Sequence, residues 1–118
     1  MPTDPAGFLP LPPVTFQILM ALAPGECHGY AIILDVQERT GGELTLGAGA
    51  LYRALHRMLE QGLVTESARR PAARLDDERR RYYRITPLGL AVARAETLRL
   101  TQLVRMARAQ GLRPEEAR

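Results

Sequence analysis

Residues 47–62 read GAGALYRALHRMLEQG. The stretch that begins with them ends at residues 79–86 with RRRYYRIT. Its first part alternates apolar and polar residues with the period of an α-helix. The apolar face consists of Leu51, Leu55, Met58 and Leu59. The opposite face is polar and partly basic, with Arg53, His56, Arg57 and Glu60. The pattern predicts a short amphipathic helix that begins near Gly47 and ends at Gly62, where a left-handed residue commonly stops a helix.

The second part of this stretch predicts a basic β-hairpin, with strands near residues 63–68 and 80–86. Residues 69–84 hold seven arginines against Asp76, Asp77 and Glu78, a net charge of +4, whereas the whole chain has only +3. All of the net positive charge therefore lies in the hairpin. A helix that leads directly into a basic ribbon indicates a protein that binds nucleic acid.

Length and composition predict one globular domain. The chain has 118 residues, of which 46% are hydrophobic and 25% are charged. Cys27 is the only cysteine, which excludes an intrachain disulfide and suits a reducing cytoplasm. The longest apolar run, near residues 14–23, is too short to span a bilayer. We therefore expect a cytoplasmic protein that does not contact the membrane.

Two further helices are predicted before residue 47. Residues 1–11 contain three prolines and are expected to form a flexible arm. An almost wholly apolar helix follows from Pro12 and Pro13 to Pro24, and a partner subunit is expected to cover part of it, including Phe16. A second helix is predicted over residues 28–40, and a short strand over residues 44–46. The inner face of that second helix is expected to carry Tyr30, Ile33, Leu34 and Gln37.

A long helix is predicted to end the domain. Thr86 and Pro87 suit its N-cap and first position, and Gly111 suits its end. A helix of this length measures roughly 35 Å, more than a small domain needs for its own core. It carries a heptad-like seam of Leu90, Ala93, Thr97, Leu100, Val104 and Ala107. We therefore expect this seam to pack against a second copy of the chain.

The order of elements predicts the fold class. Helix, helix, short strand, helix and hairpin describe a mainly α protein with a small β-hairpin wing, an α+β winged helix-turn-helix fold with a long C-terminal dimerisation helix. The predicted segments are the arm (1–11), the DNA-binding domain (12–86), the dimerisation helix (87–111) and a polar tail (112–118). In this fold a helix enters the major groove while the basic wing contacts the backbone, so that binding depends strongly on salt.

Three motifs in this order resemble the PadR family of bacterial transcriptional regulators. They are HGY at residues 28–30, GxLYRALxR at 49–57 and RRYYRIT at 80–86, and the resemblance extends over residues 14–107. It implies a homodimeric repressor that binds a pseudo-palindromic operator in double-stranded DNA and lies on the bacterial nucleoid when bound. It also implies that a small-molecule effector, if there is one, binds at the dimer interface. The residues implied to face DNA are Tyr52, Arg53, His56, Arg57, Arg79 and Arg80.

One departure from the family pattern motivates an alternative function. The family usually has serine, threonine or proline around residues 47–50, where this chain has Gly47, Ala48, Gly49 and Ala50. Backbone amides would have to replace the missing hydroxyls at the helix N-terminus. The alternative is a winged-helix module that binds protein and no longer recognises DNA specifically.

The remaining chemistry-bearing residues favour structural roles. Cys27 and His28 have no further ligands at metal-binding spacing, so that His28 is expected to form a local hydrogen bond at a helix N-terminus. Tyr30, Tyr52 and Tyr83 are interpreted as core residues rather than as the lining of an effector pocket. No nucleophile set, glycine-rich phosphate loop or metalloprotease motif occurs. We therefore expect neither catalysis nor a cofactor.

Overall fold

The computed structural model describes residues 4–67 and 81–115, and four α-helices and three short strands lie in them. A 3-10 helix at Pro5–Phe8 comes first. The α-helices are α1 (Pro13–Leu22), α2 (Gly29–Arg39), α3 (Ala48–Gln61) and α4 (Pro87–Ala109). The strands are β1 (Cys27–His28), β2 (Val64–Glu66) and β3 (Tyr82–Ile85). This arrangement confirms the predicted α+β winged-helix class.

The sheet is antiparallel with the order β1-β3-β2. Val64 pairs with Ile85 on one side of β3, and Cys27 pairs with Tyr83 on the other. The sequence prediction placed the additional strand at residues 44–46, and this was wrong. Leu46 is buried in the connection between α2 and α3, in which the Leu44 N–H donates to Thr40 Oγ1 at 3.1 Å instead of joining a sheet.

The hydrophobic core lies between α1, α2 and α3 and extends under the sheet and the start of α4. Ile18, Leu19 and Leu22 of α1 are almost fully buried, which the apolar sequence of this helix predicts. The predicted inner face of α3 is confirmed, since Leu51, Leu55 and Met58 are buried there. Gly62 ends α3 with φ of +79°, in the left-handed conformation expected for it.

The predicted inner face of α2 was wrong. Ile32 and Val36 are fully buried, whereas Tyr30 is 56% exposed and Leu34 is 48% exposed. Gly29 explains this orientation, because a side chain there would collide with Tyr52 of α3. The face of α2 that begins with Gly29 can approach α3 most closely. Ile32 and Val36 lie on this face and are therefore buried.

Residues 4–11 are packed against the domain, which corrects the prediction of a flexible arm for this part of the segment. The Asp4 side chain accepts a hydrogen bond from the Ala6 N–H at 3.1 Å and caps the 3-10 helix. Leu11 is buried, and its N–H donates to Glu96 Oε2 of α4 at 3.0 Å. The segment is fixed because the apolar surfaces of Phe8 and Leu9 also pack against the core.

The start of α4 is anchored and its end is exposed. Thr86 is the predicted N-cap, since its Oγ1 accepts from the Gly89 N–H at 3.0 Å and donates to the Gly62 carbonyl at 2.6 Å. From Thr97 onward almost every residue of the helix is solvent-exposed within one chain. Across residues 4–67 and 81–115, no helix combines the length and the apolar character that crossing a bilayer requires.

Candidate nucleic-acid interface

One side of α3 presents a continuous polar surface. Arg53, His56 and Arg57 are exposed, and Glu60 follows them in the last turn of the helix. They line an open, shallow groove together with Gly49 and Tyr52. Because the opposite face of α3 is locked into the core, the direction of this surface is set by the packing of the whole domain.

The α3 N-terminus has no side-chain cap. Gly47 occupies the N-cap position, and no side chain accepts a hydrogen bond from the first turn, as expected from the run of glycine and alanine. Gly47, Ala48 and Gly49 are exposed. Backbone amides at such a helix end point outward and suit an anion such as a DNA phosphate.

Tyr52 mainly joins α3 to α2. A Cβ atom on Gly29 would lie 2.3 Å from the Tyr52 hydroxyl oxygen, which means that the phenol ring occupies the space over this glycine. The side chain is half-buried, and the residue also lines the groove. Its proximity to Gly29 accounts physically for the glycine of the HGY motif.

The arginines of α3 differ from Arg39 and Arg99 in their charge partners. Arg39 forms an ion pair with Asp35, and Arg99 forms one with Glu96. Within the two described ranges, Arg53 and Arg57 form no ion pair with a carboxylate. Their guanidinium groups therefore retain hydrogen-bond donors for an external acceptor.

The base of the wing carries further arginines. Arg79 and Arg80, which the sequence analysis assigned to DNA contact, lie outside the described residues. Arg81 Nη1 lies 3.8 Å from Glu66 Oε1, a long ion pair across β2 and β3. Arg84 is exposed on β3 and was not among the predicted contacts, although strand alternation already placed it on the face opposite Tyr83.

His28 forms the local hydrogen bond that the sequence predicted, next to Cys27. His28 Nδ1 accepts a hydrogen bond from the Ala31 N–H at 3.1 Å, and its ring contacts Tyr82 edge to face at 5.5 Å. Burial, followed by the nearby carboxylates of Asp35 and Glu26, raises the pKa of the Cys27 thiol. In the part of the chain that the structure describes, no three potential metal ligands lie together.

The residues predicted for the dimer interface divide into two groups. A groove between α1 and the exposed half of α4 brings four of them together: Phe16, Thr97, Leu100 and Val104. Leu90, Ala93 and Ala107 are half-buried and lie outside the lining of this groove. Sequence periodicity missed Met20, which lines the groove, and Leu103, which is exposed next to it on α4.

Comparison with known proteins agrees with this geometry. The Transcriptional regulator PadR-like family matches residues 18–95. A transcriptional regulator from Clostridium thermocellum is 28% identical with a TM-score of 0.61, and the match covers 84% of this chain and 87% of that one. RosR from H. salinarum is 27% identical with a TM-score of 0.62, over 89% of this chain and 92% of the other.

A more distant structure, Bacillus subtilis PadR in complex with operator DNA, shares the fold. It is 18% identical with a TM-score of 0.56, and the match covers 89% of this chain and 50% of that one. No curated protein sequence gave a match. Since the family match extends over well more than half of the chain, the protein belongs to the PadR-like family of transcriptional regulators.

Proposed function

We propose that this protein is a homodimeric, sequence-specific DNA-binding repressor. The observation that carries the proposal is the exposed basic side of α3. Arg53 and Arg57 stand one turn apart on a helix whose other face is buried, and neither has a carboxylate partner in the described ranges. An α-helix fits the major groove of B-form DNA, where arginine side chains can donate to phosphates and to base edges.

The surroundings of α3 support the same binding mode. Exposed backbone amides at Gly47, Ala48 and Gly49 suit a phosphate at the edge of the groove. Arg84 adds a positive charge at the base of the wing. We propose that Arg79 and Arg80 extend this contact along the DNA backbone. Bacillus subtilis PadR, which shares the fold, was solved on operator DNA.

Dimerisation would provide the second half-site contact. The groove between α1 and α4 exposes Leu100 and Val104, at 38% and 51%, to solvent within one chain. Phe16 and Met20 form its other wall. A second copy that covers this surface would relate two α3 helices by a two-fold axis, and a symmetric dimer requires a pseudo-palindromic operator.

DNA binding is tested by selection from a pool of random duplexes, followed by fluorescence anisotropy on the selected duplex and on a scrambled duplex of equal composition. We expect tighter binding to the selected duplex and a linear fall of log K with log salt concentration. Arg53→Ala combined with Arg57→Ala should weaken binding by at least about tenfold.

The matched control removes two exposed arginines away from α3, Arg94 and Arg113. Arg94→Ala with Arg113→Ala should change affinity far less than the α3 pair. Equal losses in both variants would mean that only total charge matters and would contradict recognition by α3. If no duplex sequence is enriched, the proposal fails, and the protein-binding alternative is then the better description.

Repression is tested separately by placing the selected duplex between a promoter and a reporter gene. Expression of the chain should lower the reporter signal, because the bound dimer blocks the polymerase. The Arg53→Ala, Arg57→Ala variant should restore the signal at equal protein level. A reporter signal that rises when the chain is expressed would show activation instead.

A further inference from the structure

The first turn of α3 has no side chain that can form a hydrogen bond with a base. In helix-turn-helix proteins the N-terminal residues of the recognition helix contact base edges. Here these residues are Ala48, Gly49 and Ala50, which have no polar side-chain atoms. Side-chain hydrogen bonds to bases at this end of the helix must therefore come from a longer side chain farther along α3.

Arg53 is placed to supply that contact. Side chains of an α-helix lean toward its N-terminus, and Arg53 follows Gly49 by four residues on the same face. Its Nη1 lies 3.3 Å from the position that a Cβ atom on Gly49 would take. The guanidinium group thus extends back over the first turn, in the space that the missing side chain of Gly49 leaves open.

Arg57 lies one helical turn after Arg53 on the same side of α3. It is exposed, and neither arginine is bound to a carboxylate in residues 4–67 and 81–115. One helical turn advances ~5.4 Å, and one base-pair step advances about 3.4 Å per strand. Two arginine forks one turn apart therefore reach bases that are one or two steps apart.

The chemistry of the α3 surface favours guanine. Guanine presents two acceptors in the major groove, O6 and N7, and arginine donates to both. Adenine presents one donor and one acceptor, which the amide groups of Asn and Gln match. None of the exposed polar residues of α3, which are Arg53, His56, Arg57 and Glu60, has such an amide, and the one amide of the helix, Gln61, is half-buried at its last position.

We propose that α3 reads two guanines in each operator half-site through Arg53 and Arg57, one or two steps apart, and that Gly49 is the positioning residue for Arg53. The inference rests on the proposed DNA-binding function and specifies its target. Gly49 acts by leaving room for the guanidinium group, and it does not itself contact a base edge.

The test compares wild type with single variants on the selected duplex. Replacing each guanine in turn by 7-deazaguanine removes the N7 acceptor while keeping the base pair. We expect wild-type affinity to fall at two positions, and a change of either G:C pair to A:T to cost roughly 5- to 150-fold. Arg53→Ala should abolish discrimination at one position only, and Arg57→Ala at the other.

Gly49→Ala distinguishes positioning from simple loss of stability. Alanine favours helix by up to about 1 kcal/mol over glycine, so this variant should unfold no more easily than wild type. Its methyl group should displace the Arg53 guanidinium and weaken discrimination at the Arg53 position alone, by less than Arg53→Ala does. Gly25→Ala is the control, because a Cβ there meets no atom within 4 Å and Gly25 lies outside α3.

Two results would overturn this inference while leaving DNA binding intact. One is a selected half-site in which no replacement of a guanine by 7-deazaguanine lowers the affinity. The other is a loss in Arg53→Ala and Arg57→Ala that is equal for all duplexes, which would assign both arginines to phosphates. Failure to select any duplex would instead contradict the proposed function itself.

Discussion

At the scale of single residues, two glycines allow the helices to meet the sheet. Gly62 takes a positive φ of 79° and lets the chain leave α3 directly into β2. Gly89 has an ordinary helical conformation, and its role is close packing. A Cβ there would lie 2.0 Å from the Leu63 carbonyl oxygen and 2.9 Å from Ile85 Cγ1. The first turn of α4 therefore rests directly on the backbone that precedes β2.

We predict that Gly89→Ala destabilises the fold. The methyl group would overlap a backbone oxygen, so either α4 or the Leu63 backbone must shift, and such overpacking typically costs about 1–3 kcal/mol. Urea unfolding followed by circular dichroism, at one protein concentration, measures the change. Gly25→Ala is the control, since a Cβ at Gly25 meets no atom within 4 Å, and its effect should stay within about 0.5 kcal/mol. Equal unfolding midpoints for the two variants would contradict the packing argument.

At the scale of elements, Glu96 connects α4 to the N-terminal segment. Its side chain is 2% exposed and accepts from the Leu11 N–H and from Arg99, whose Nε lies 2.5 Å from Oε1. The hydrogen bonds from Arg99 lower the pKa of Glu96 below its ordinary value, and the bond from Leu11 adds to this, although burial alone would raise it. The ionised carboxylate is therefore the form that holds the segment on α4.

This connection predicts a pH dependence of stability. Because the pKa of Glu96 is lower in the folded than in the unfolded state, its contribution is complete above the ordinary carboxyl value of 4.5. The contribution is lost as the pH falls below 4.5 and through the pKa of the folded state. Urea midpoints of wild type and Glu96→Gln, measured from pH 7 downward, should converge in this acidic range. Glu43→Gln, at an exposed position, controls for the loss of one carboxylate. A constant gap between wild type and Glu96→Gln would contradict this role.

At the scale of the whole molecule, α4 extends beyond the body of the domain. The chain measures 57 × 40 × 22 Å, and Glu96 is the last buried residue of α4, after Val92. Leu100, Leu103 and Val104 follow it along the helix and are exposed. An exposed apolar stripe next to the α1 groove suits an interface between two copies.

We predict that Leu100→Glu with Val104→Glu produces a monomer. Two carboxylates in the groove would be buried without partners in a dimer, whereas both sites are already solvent-exposed in one chain. Light scattering coupled to size-exclusion chromatography measures the mass, and anisotropy should show a parallel loss of affinity for a two-half-site duplex. Gln102→Glu adds a charge to the opposite side of α4 and should leave a dimer. If the double variant still has the mass of two chains, the interface lies elsewhere.

Local patterns in the sequence determined several elements of this protein. The apolar face of α3, its end at Gly62 and the start of α4 at Thr86 were all predicted correctly. Such features depend on residues within about four positions of one another, so that periodicity and capping residues are sufficient to predict them. The exposure of Arg53, His56 and Arg57 follows directly from the same periodicity.

Only the tertiary structure decided the features that depend on distant contacts. The sequence of α2 is apolar on several sides, and the close approach of Gly29 to Tyr52 selects the face that is buried. The strand β1 forms because it pairs with the edge of β3. The N-terminal segment is held by a hydrogen bond between Leu11 and Glu96, which are 85 positions apart. The periodicity of a sequence does not predict such contacts, because it reports only on residues that are close together in the chain.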